Sequence, residues 1–260
     1  MTASFPMYLR PENRAAYGRL WATIRDDLRA QGIESPEELT EADSLWDLWT
    51  DPDLLLSQSC ALPWRMRLDG VATILGAPDY QLPGCPPGYY NSVFVLRADD
   101  NRISPSDWAG LRLAYNSPNS QSGYAAPQAF AASNGVTFTD LVATGSHRAS
   151  ATAVLENHAD IACIDAQTWR MIARWDPKAD QLQEAARTAP TPATPFITAA
   201  SRDPEPIRSA LALAISALPD ADRALLDLHG LVEIPVDTYR ATLLPPDPEA
   251  IPPATAARTG

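Results

Sequence analysis

The feature that most restricts the fold of this chain is the alternation of short apolar segments with segments of helical periodicity. The apolar segments have the length and composition of buried strands, as in Leu54–Leu56, Val71–Leu75, Leu111–Tyr115 and Ile161–Ile164. Other segments place apolar residues at helical spacing, as in Tyr17, Leu20, Trp21, Ile24 and Leu28. Strands that alternate with helices predict an α/β fold in which mostly parallel sheets are flanked by helices.

Charge and composition exclude several classes of function. The 260 residues carry a formal net charge of −12, which disfavours nucleic acid and anionic membrane surfaces as partners. No apolar run is long enough to cross a bilayer, so we expect no membrane insertion. The N-terminal residues lack the basic and apolar regions of a signal peptide. The sequence as given therefore predicts a cytoplasmic protein, or a periplasmic one if an export signal was omitted.

Cysteine and histidine usage gives no sign of a disulfide framework, a metal site or a cofactor. Cys60, Cys85 and Cys163 are an odd number of cysteines without CxxC spacing. The three histidines are scattered along the chain and form no metal motif. The sequence therefore predicts neither a metal nor a cofactor. It also predicts no catalytic residue, because no nucleophile has an adjacent base in the sequence.

The segment Leu113–Tyr124 is the strongest candidate for a ligand site. An apolar strand leads into a polar turn, and residues Ser120–Gly123 fall at the predicted start of a helix that Pro127 should kink or restrict to its later part. Backbone N–H groups at a helix start have no partner within the helix and lie at the positive end of its dipole. Together with hydroxyl and amide donors they suit a small oxyanion. The competing interpretation is that these are ordinary capping and turn residues.

Polar residues also follow the other predicted strands. They are Tyr8 at the end of Phe5–Tyr8, Ser57 and Gln58 after Leu54–Leu56, His147 after Leu141–Ala143, and Asp165 after Ile161–Ile164. Ser146 can cap the helix that begins at His147. Ligands of parallel α/β sheets gather beyond the carboxyl ends of the strands. These polar strand ends therefore predict one converging cleft.

Four stretches of the chain together resemble the phosphate, phosphite and phosphonate substrate-binding proteins of ABC transporters. They are Leu111–Tyr115 with the Ser120–Gly123 turn and Pro127, Gly145–His147 with Ala149 and Ala153–Val154, Ala159–Asp165, and Tyr89–Tyr90 through Val95. The resemblance covers about Ser4 to Leu243 and implies a type II periplasmic binding fold. In that fold the ligand lies in a cleft between two α/β lobes.

The same resemblance implies a domain organisation. Lobe one would combine residues 1–88 with 197–260, and its tail from about residue 245 is expected to be disordered because it is rich in Pro and Ala. Lobe two would span residues 89–196 and carry the oxyanion-binding turn.

The resemblance also implies roles for residues of lobe two. Ser120, Gln121 and Ser122 align with the Ser/Thr turn that holds the phosphonate oxygens, and Gln121 departs from the usual Thr. His147 matches the histidine that donates to the same oxyanion. Asp165 lies near an acidic position that some members use for a ligand amine, but it can equally cap the helix that follows it.

Further contacts are expected from the remaining strand ends. Tyr8 fits an aromatic contact from lobe one, and Ser57 and Gln58 are expected to contact the ligand as polar groups. Of the adjacent Tyr89 and Tyr90, one should face the ligand and the other should pack, and we choose Tyr90 as the ligand contact.

These patterns favour a non-catalytic solute-binding protein for phosphate, phosphite or an organophosphonate, with an ABC permease as its partner if the protein is exported. Two alternatives remain open. The first is a cytoplasmic enzyme of the same fold that uses His147 and Asp165 for acid–base chemistry. The second is a cytoplasmic sensor that passes ligand binding to another protein.

Overall fold

The computed structural model describes residues 1–250. Of the tail expected to be disordered, residues 251–260 lie outside the described residues. Within the described part, no helix is long and apolar enough to cross a membrane.

The secondary structure is an alternation of strands and helices, as predicted. Along the described chain the strands are β1 Thr2–Ala3, β2 Leu54–Gln58, β3 Ala72–Asp79, β4 Tyr89–Tyr90, β5 Ser92–Arg97, β6 Arg112–Tyr115, β7 Asp140–Ala143, β8 Ile161–Asp165, β9 Leu182–Arg187, β10 Thr191–Pro192, β11 Phe196–Ala199 and β12 Gly230–Val232. The α-helices are α1 Arg14–Ala30, α2 Leu45–Thr50, α3 Ala61–Pro63, α4 Ala126–Ser133, α5 His147–Leu155, α6 Ala166–Trp175, α7 Pro204–Ser216, α8 Asp220–Leu226 and α9 Val236–Arg240.

The chain divides into two compact units. The first unit contains Met1–Tyr90 and Thr191–Thr242, and the second contains Asn91–Pro190 and the described residues after Thr242. Residues 243–250 thus belong to the second unit, whereas the sequence grouped them with lobe one. A contact within the second unit accounts for this difference, because the Tyr124 hydroxyl donates a hydrogen bond to the Pro246 carbonyl at 2.7 Å.

The first unit is built on a five-stranded sheet with the order β1-β2-β11-β3-β12. Residues Leu54–Leu56 of β2 are completely buried. Helix α1 packs against α7, and its predicted apolar face is buried in full: Tyr17, Leu20, Trp21, Ile24 and Leu28 are each at most 3% exposed.

The second unit has a five-stranded sheet with the order β7-β6-β8-β5-β9. Its core on one side of the sheet combines Phe94, Trp108, Leu113 and Phe138, all completely buried. Strand β6 pairs in parallel with both β7 and β8. The carboxyl ends of these three strands therefore lie at one edge of the sheet.

The α/β fold class is confirmed, but the sheets are mixed rather than mostly parallel. Strand β11 runs antiparallel to β2 and β3, and β12 runs antiparallel to β3. In the second unit, β5 runs antiparallel to β8 and β9. Strands β5 and β11 lie just beyond the two points where the chain passes between units, so they enter their sheets in the reverse direction.

The position of the first strand also differs from the prediction. The sequence predicted a strand at Phe5–Tyr8, but β1 is Thr2–Ala3 and residues 6–8 form a turn. Pro6 has no backbone N–H to contribute to a ladder, and the last hydrogen bond to the neighbouring strand is donated by the Ser4 amide to the Leu56 carbonyl at 2.9 Å. Tyr8 therefore lies beyond the strand and not at its end.

Local predictions around the second sheet are confirmed. Ser146 caps α5, because its hydroxyl accepts the Ala149 amide at 3.1 Å. Asn157 follows α5 in the left-handed conformation that Asn tolerates, with φ of 61°. Pro127 is the second residue of α4 and follows the helical turn Gln121–Ala125, so the regular α-helix is restricted to the later part of this segment.

Candidate functional site

The turn after β6 begins as a capped helix. The Ser120 hydroxyl accepts a hydrogen bond from the Gly123 amide at 3.0 Å, so Ser120 is the N-cap. Residues Gln121–Ala125 then form a π-helical turn that leads into α4. Ser120 and Ser122 are 6% and 4% exposed, and their hydroxyl oxygens lie 3.4 Å apart. Single π-helical turns inside helices occur frequently at functional sites.

His147 comes to the same turn from the neighbouring strand. It is the first residue of α5, the helix that follows β7 along the chain, and β7 pairs in parallel with β6. Its Nε2 atom lies 2.9 Å from the Ser122 hydroxyl oxygen. The structure thus brings together three of the predicted side chains of the second unit: those of Ser120, Ser122 and His147.

The imidazole of His147 is neutral at physiological pH. Burial lowers its pKa to about 4, although the residue as a whole is only partly buried, and the Cys163 backbone opposes this shift. A neutral imidazole carries one donor and one acceptor nitrogen. The hydrogen bond between Ser122 and His147 therefore contains one proton. Either the hydroxyl or the Nε2 atom donates it, depending on the imidazole tautomer.

Sequence reasoning missed Asn116, which also lies at this turn. Asn116 directly follows β6, and its Oδ1 atom is buried against Gly123. A Cβ atom at position 123 would overlap Asn116 Oδ1 and would lie 3.0 Å from His147 Cε1. The only sequence signal was its position at the carboxyl end of a buried strand, since an Asn in a Pro-containing turn is ordinary.

We expect Gly123→Ala to destabilise the protein by about 1–3 kcal/mol, because the new methyl group is forced into a packed site. In an Asn116→Ala background the same change should cost less than half as much, because the overlapping oxygen is gone. Urea unfolding of the four proteins measures this coupling.

The control for that cycle is Gly18→Ala. Gly18 lies inside α1 with open space around a Cβ, so alanine there should stabilise by up to about 1 kcal/mol. Equal losses for Gly123→Ala in both backgrounds would contradict the overlap with Asn116.

Two further predicted residues of the second unit are buried beside this group. Gln121 is 2% exposed and is the first residue of the π-helical turn. Asp165 is 3% exposed, and its carboxylate accepts the Thr168 amide at 2.8 Å as the N-cap of α6. The capping role that the sequence left open for Asp165 is therefore present in the structure.

In the first unit, Tyr8 and Gln58 belong to one buried polar network. Gln58 Nε2 donates to the Tyr80 hydroxyl at 3.1 Å and to the Thr194 hydroxyl at 3.0 Å. The Thr194 hydroxyl donates in turn to the Tyr8 hydroxyl at 3.4 Å, and the rings of Tyr8 and Tyr80 pack edge to face at 5.1 Å. Tyr80 and Thr194 carry no sequence signal, because they come from distant segments.

Ser57 and Tyr90 lie elsewhere in the first unit. The Ser57 hydroxyl is completely buried, and no partner for it lies within the described residues. Tyr90 is 1% exposed, and its hydroxyl is 3.8 Å from the Cys60 sulfur. Ligand contact by Tyr8, Ser57, Gln58 and Tyr90 stays a prediction.

The polar groups of the second unit have the chemistry of an anion receptor built from neutral donors. Hydroxyl groups and the backbone N–H groups of a helix entrance can donate to oxygen acceptors without a positive side chain. Among residues 1–250 no group of His, Cys, Asp and Glu could hold a metal ion, and all three cysteines are free.

The sequence profile of one protein family matches residues 71–237 of this chain. That family is described as ABC transporter, phosphonate, periplasmic substrate-binding protein. It is non-catalytic. No curated protein matches the sequence significantly.

Solved structures with similar folds include two phosphonate-binding proteins. PhnD1 from Prochlorococcus marinus, in complex with methylphosphonate, has a TM-score of 0.69 and 17% identity over 92% of this chain and 93% of its own. A binding protein component of an ABC phosphonate transporter from Pseudomonas aeruginosa has a TM-score of 0.68 and 17% identity over 92% of this chain and 83% of its own.

A third similar structure is MatC from Rhodopseudomonas palustris with bound malate, at a TM-score of 0.60 and 15% identity over 94% of this chain and 93% of its own. At these identities the structural matches show the fold alone. That fold is the type II periplasmic-binding-protein fold, as the sequence predicted.

Proposed function

Since this chain belongs to the family of periplasmic substrate-binding proteins of phosphonate ABC transporters, we propose that it binds a small tetrahedral oxyanion at the turn formed by Ser120, Gln121 and Ser122. The ligand class is phosphate, phosphite or an organophosphonate. The solute-binding role follows from the family, and the choice of oxyanion is our proposal.

The observation that carries this proposal is the convergence of buried hydroxyl and imidazole groups on one helix entrance. Ser122 lies 3.4 Å from Ser120 and 2.9 Å from His147 Nε2, and both serines are almost completely buried. Three polar side chains held together at the start of a helix provide the fixed dipoles that replace the hydration shell of an anion. The formal net charge of −12 makes such local donors necessary, because the protein as a whole repels anions.

His147 has a distinct part in the proposed mechanism. Its lowered pKa keeps the imidazole uncharged in the free site. An anion bound beside the ring would favour the imidazolium form, so His147 can contribute either a neutral hydrogen bond or a positive charge. The roles of Gln121 as an amide donor and of Asp165 as a contact for a ligand amine belong to the same proposal.

Family membership also bears on the partner of this chain and on the compartment in which it acts. The family is periplasmic and works with an ABC transporter. We propose that this chain delivers its ligand to an ABC permease.

A ligand screen tests the proposed function. Purified protein is heated with phosphate, phosphite, methylphosphonate, 2-aminoethylphosphonate or sulfate, and hits are titrated by calorimetry. Methylphosphonate is the first compound to test, because a similar structure contains it. A ligand present at a hundred times its Kd should stabilise the protein by about 2.7 kcal/mol.

Absence of stabilisation by every phosphorus oxyanion would contradict the proposal. Consumption of a ligand by the purified protein would instead favour the acid–base enzyme. Malate serves as a control ligand, because it is an anion of similar charge without a tetrahedral phosphorus centre.

A further inference from the structure

We propose that Asn116 makes the second unit selective for a singly protonated oxyanion over a fully ionised one. This inference rests on the proposed function, and it adds a residue and a ligand ionisation state to it. The side-chain amide oxygen of Asn116 would accept a hydrogen bond from a P–OH group of the ligand.

The position of Asn116 carries the first step. It directly follows β6, so it lies at the same sheet edge as the Ser120–Ser122 turn and the start of α5. Its amide and the His147 ring converge on Gly123, where a Cβ would overlap Asn116 Oδ1 and lie 3.0 Å from His147 Cε1. Asn116 Oδ1 thus lies against Gly123, the residue that directly follows the Ser120–Ser122 turn.

The hydrogen bonding of Asn116 carries the second step. The Oδ1 atom is buried, and within residues 1–250 no donor lies at hydrogen-bond distance from it. Buried acceptors without a partner are rare and destabilise the folded protein. A buried acceptor without a partner is suited to a ligand that brings one donor of its own.

Ligand chemistry carries the third step. A monoanionic phosphate or phosphonate has one hydroxyl and otherwise acceptor oxygens, so it matches a site of several donors and one acceptor. A fully ionised ligand has acceptors only, and one of them would face Asn116 Oδ1 across a site shielded from water. Such a mismatch discriminates strongly, because the two lone pairs repel and neither is solvated.

The pKa shifts of the neighbouring groups place none of their titrations near neutral pH in the free protein. Titratable groups on the surrounding elements are Tyr115, Tyr124, His147, Cys163 and Asp165, with Asp247 and Glu249 close to Tyr115. Burial raises the pKa of Cys163 well above its ordinary value, raises that of Tyr115 and raises that of Tyr124 to about 12. His147 is already neutral above about pH 4. Asp165 caps α6. A proton taken up by His147 on binding would give the same pH dependence in the wild type and in Asn116→Ala.

Calorimetric titration with methylphosphonate at a series of pH values tests the inference. The wild-type Kd should rise about tenfold for each pH unit above the second ionisation of methylphosphonate, because only the singly protonated form binds well. In Asn116→Ala this rise should be strongly reduced. Sulfate, which carries no proton, should bind the wild type at least tenfold more weakly than methylphosphonate, and Asn116→Ala should narrow that ratio.

The control variant is Asn119→Ala, which changes the same residue type three positions along the same turn. It should keep the wild-type pH dependence. Phosphorus NMR of methylphosphonate bound to the wild type gives a second readout that needs no variant. The bound signal should keep the chemical shift of the monoanion at a pH where the free ligand is fully ionised.

The outcomes separate this inference from the proposed function. Failure of every phosphorus oxyanion to bind removes the proposed function and this inference with it. Binding that is independent of pH, or equally pH-dependent in Asn116→Ala, overturns the role of Asn116 alone. A phosphorus NMR signal of the bound ligand with the chemical shift of the dianion also overturns the role of Asn116.

Discussion

Replacing Ser120 and Ser122 together by alanine is expected to weaken methylphosphonate binding by at least a hundredfold. Each hydroxyl is almost completely buried at the helix entrance, and a hydrogen bond to a charged group contributes about 1.5–3 kcal/mol. Two such bonds therefore account for about 3–6 kcal/mol, and every 1.4 kcal/mol corresponds to about a tenfold change in Kd. Calorimetric titration of the double variant measures the loss.

The binding experiment must separate the loss of ligand contacts from the loss of helix capping. Ser120 accepts the Gly123 amide, so alanine at this position costs about 1 kcal/mol of stability, whereas glycine costs only a few tenths. A Ser120→Gly, Ser122→Ala variant should be more stable than the double alanine variant and lose binding to the same extent. Ser133→Ala, which changes an exposed serine of α4, should leave the Kd unchanged. If the double variant bound methylphosphonate with wild-type affinity, the ligand would bind at a site other than this turn.

Replacing Trp108 by alanine is expected to destabilise the second unit by about 3–5 kcal/mol. Trp108 is completely buried, and its ring centroid lies 4.7 Å from that of Phe94 and 5.7 Å from that of Phe130. Its Nε1 donates to the Arg102 carbonyl at 2.8 Å. Alanine removes these contacts and leaves a cavity that three aromatic side chains are too stiff to fill.

Urea unfolding followed by circular dichroism measures this loss, and amide exchange in β6 and β8 assigns it to the second unit. Trp175→Ala is the matched control, because Trp175 lies in the same unit but is only partly buried. It should cost clearly less than Trp108→Ala. Equal losses for the two variants, or exchange that accelerates only in the first unit, would contradict the importance of the Trp108 cluster.

Features that depend on neighbouring residues along the chain were predictable. The limits of β6 and β8 agree to within one residue with the apolar runs Leu111–Tyr115 and Ile161–Ile164. Ser146 caps α5 and Asn157 is left-handed because side-chain hydrogen bonding and αL tolerance act over only a few residues. The apolar face of α1 follows from the 3.6-residue period alone.

Features that depend on pairing between distant segments were not predictable. The direction of β5 and of β11 in their sheets is fixed by where the chain enters each unit, and no local pattern records it. Gln58 and Thr194 bond to each other across 136 positions of sequence. Trp108 and Asn116 lie in irregular segments without periodicity, so their burial could not be recognised from the residues beside them.

The sequence by itself determined the element types, the α/β class and the resemblance to phosphonate-binding proteins, because periodicity, capping and short motifs are properties of contiguous residues. Only the tertiary structure decided the strand order, the antiparallel members of each sheet and the set of polar side chains that meet. Ser122 and His147 lie 25 positions apart and meet through the parallel pairing of β6 and β7. Such pairing is set by the burial of whole strands, which no single motif encodes.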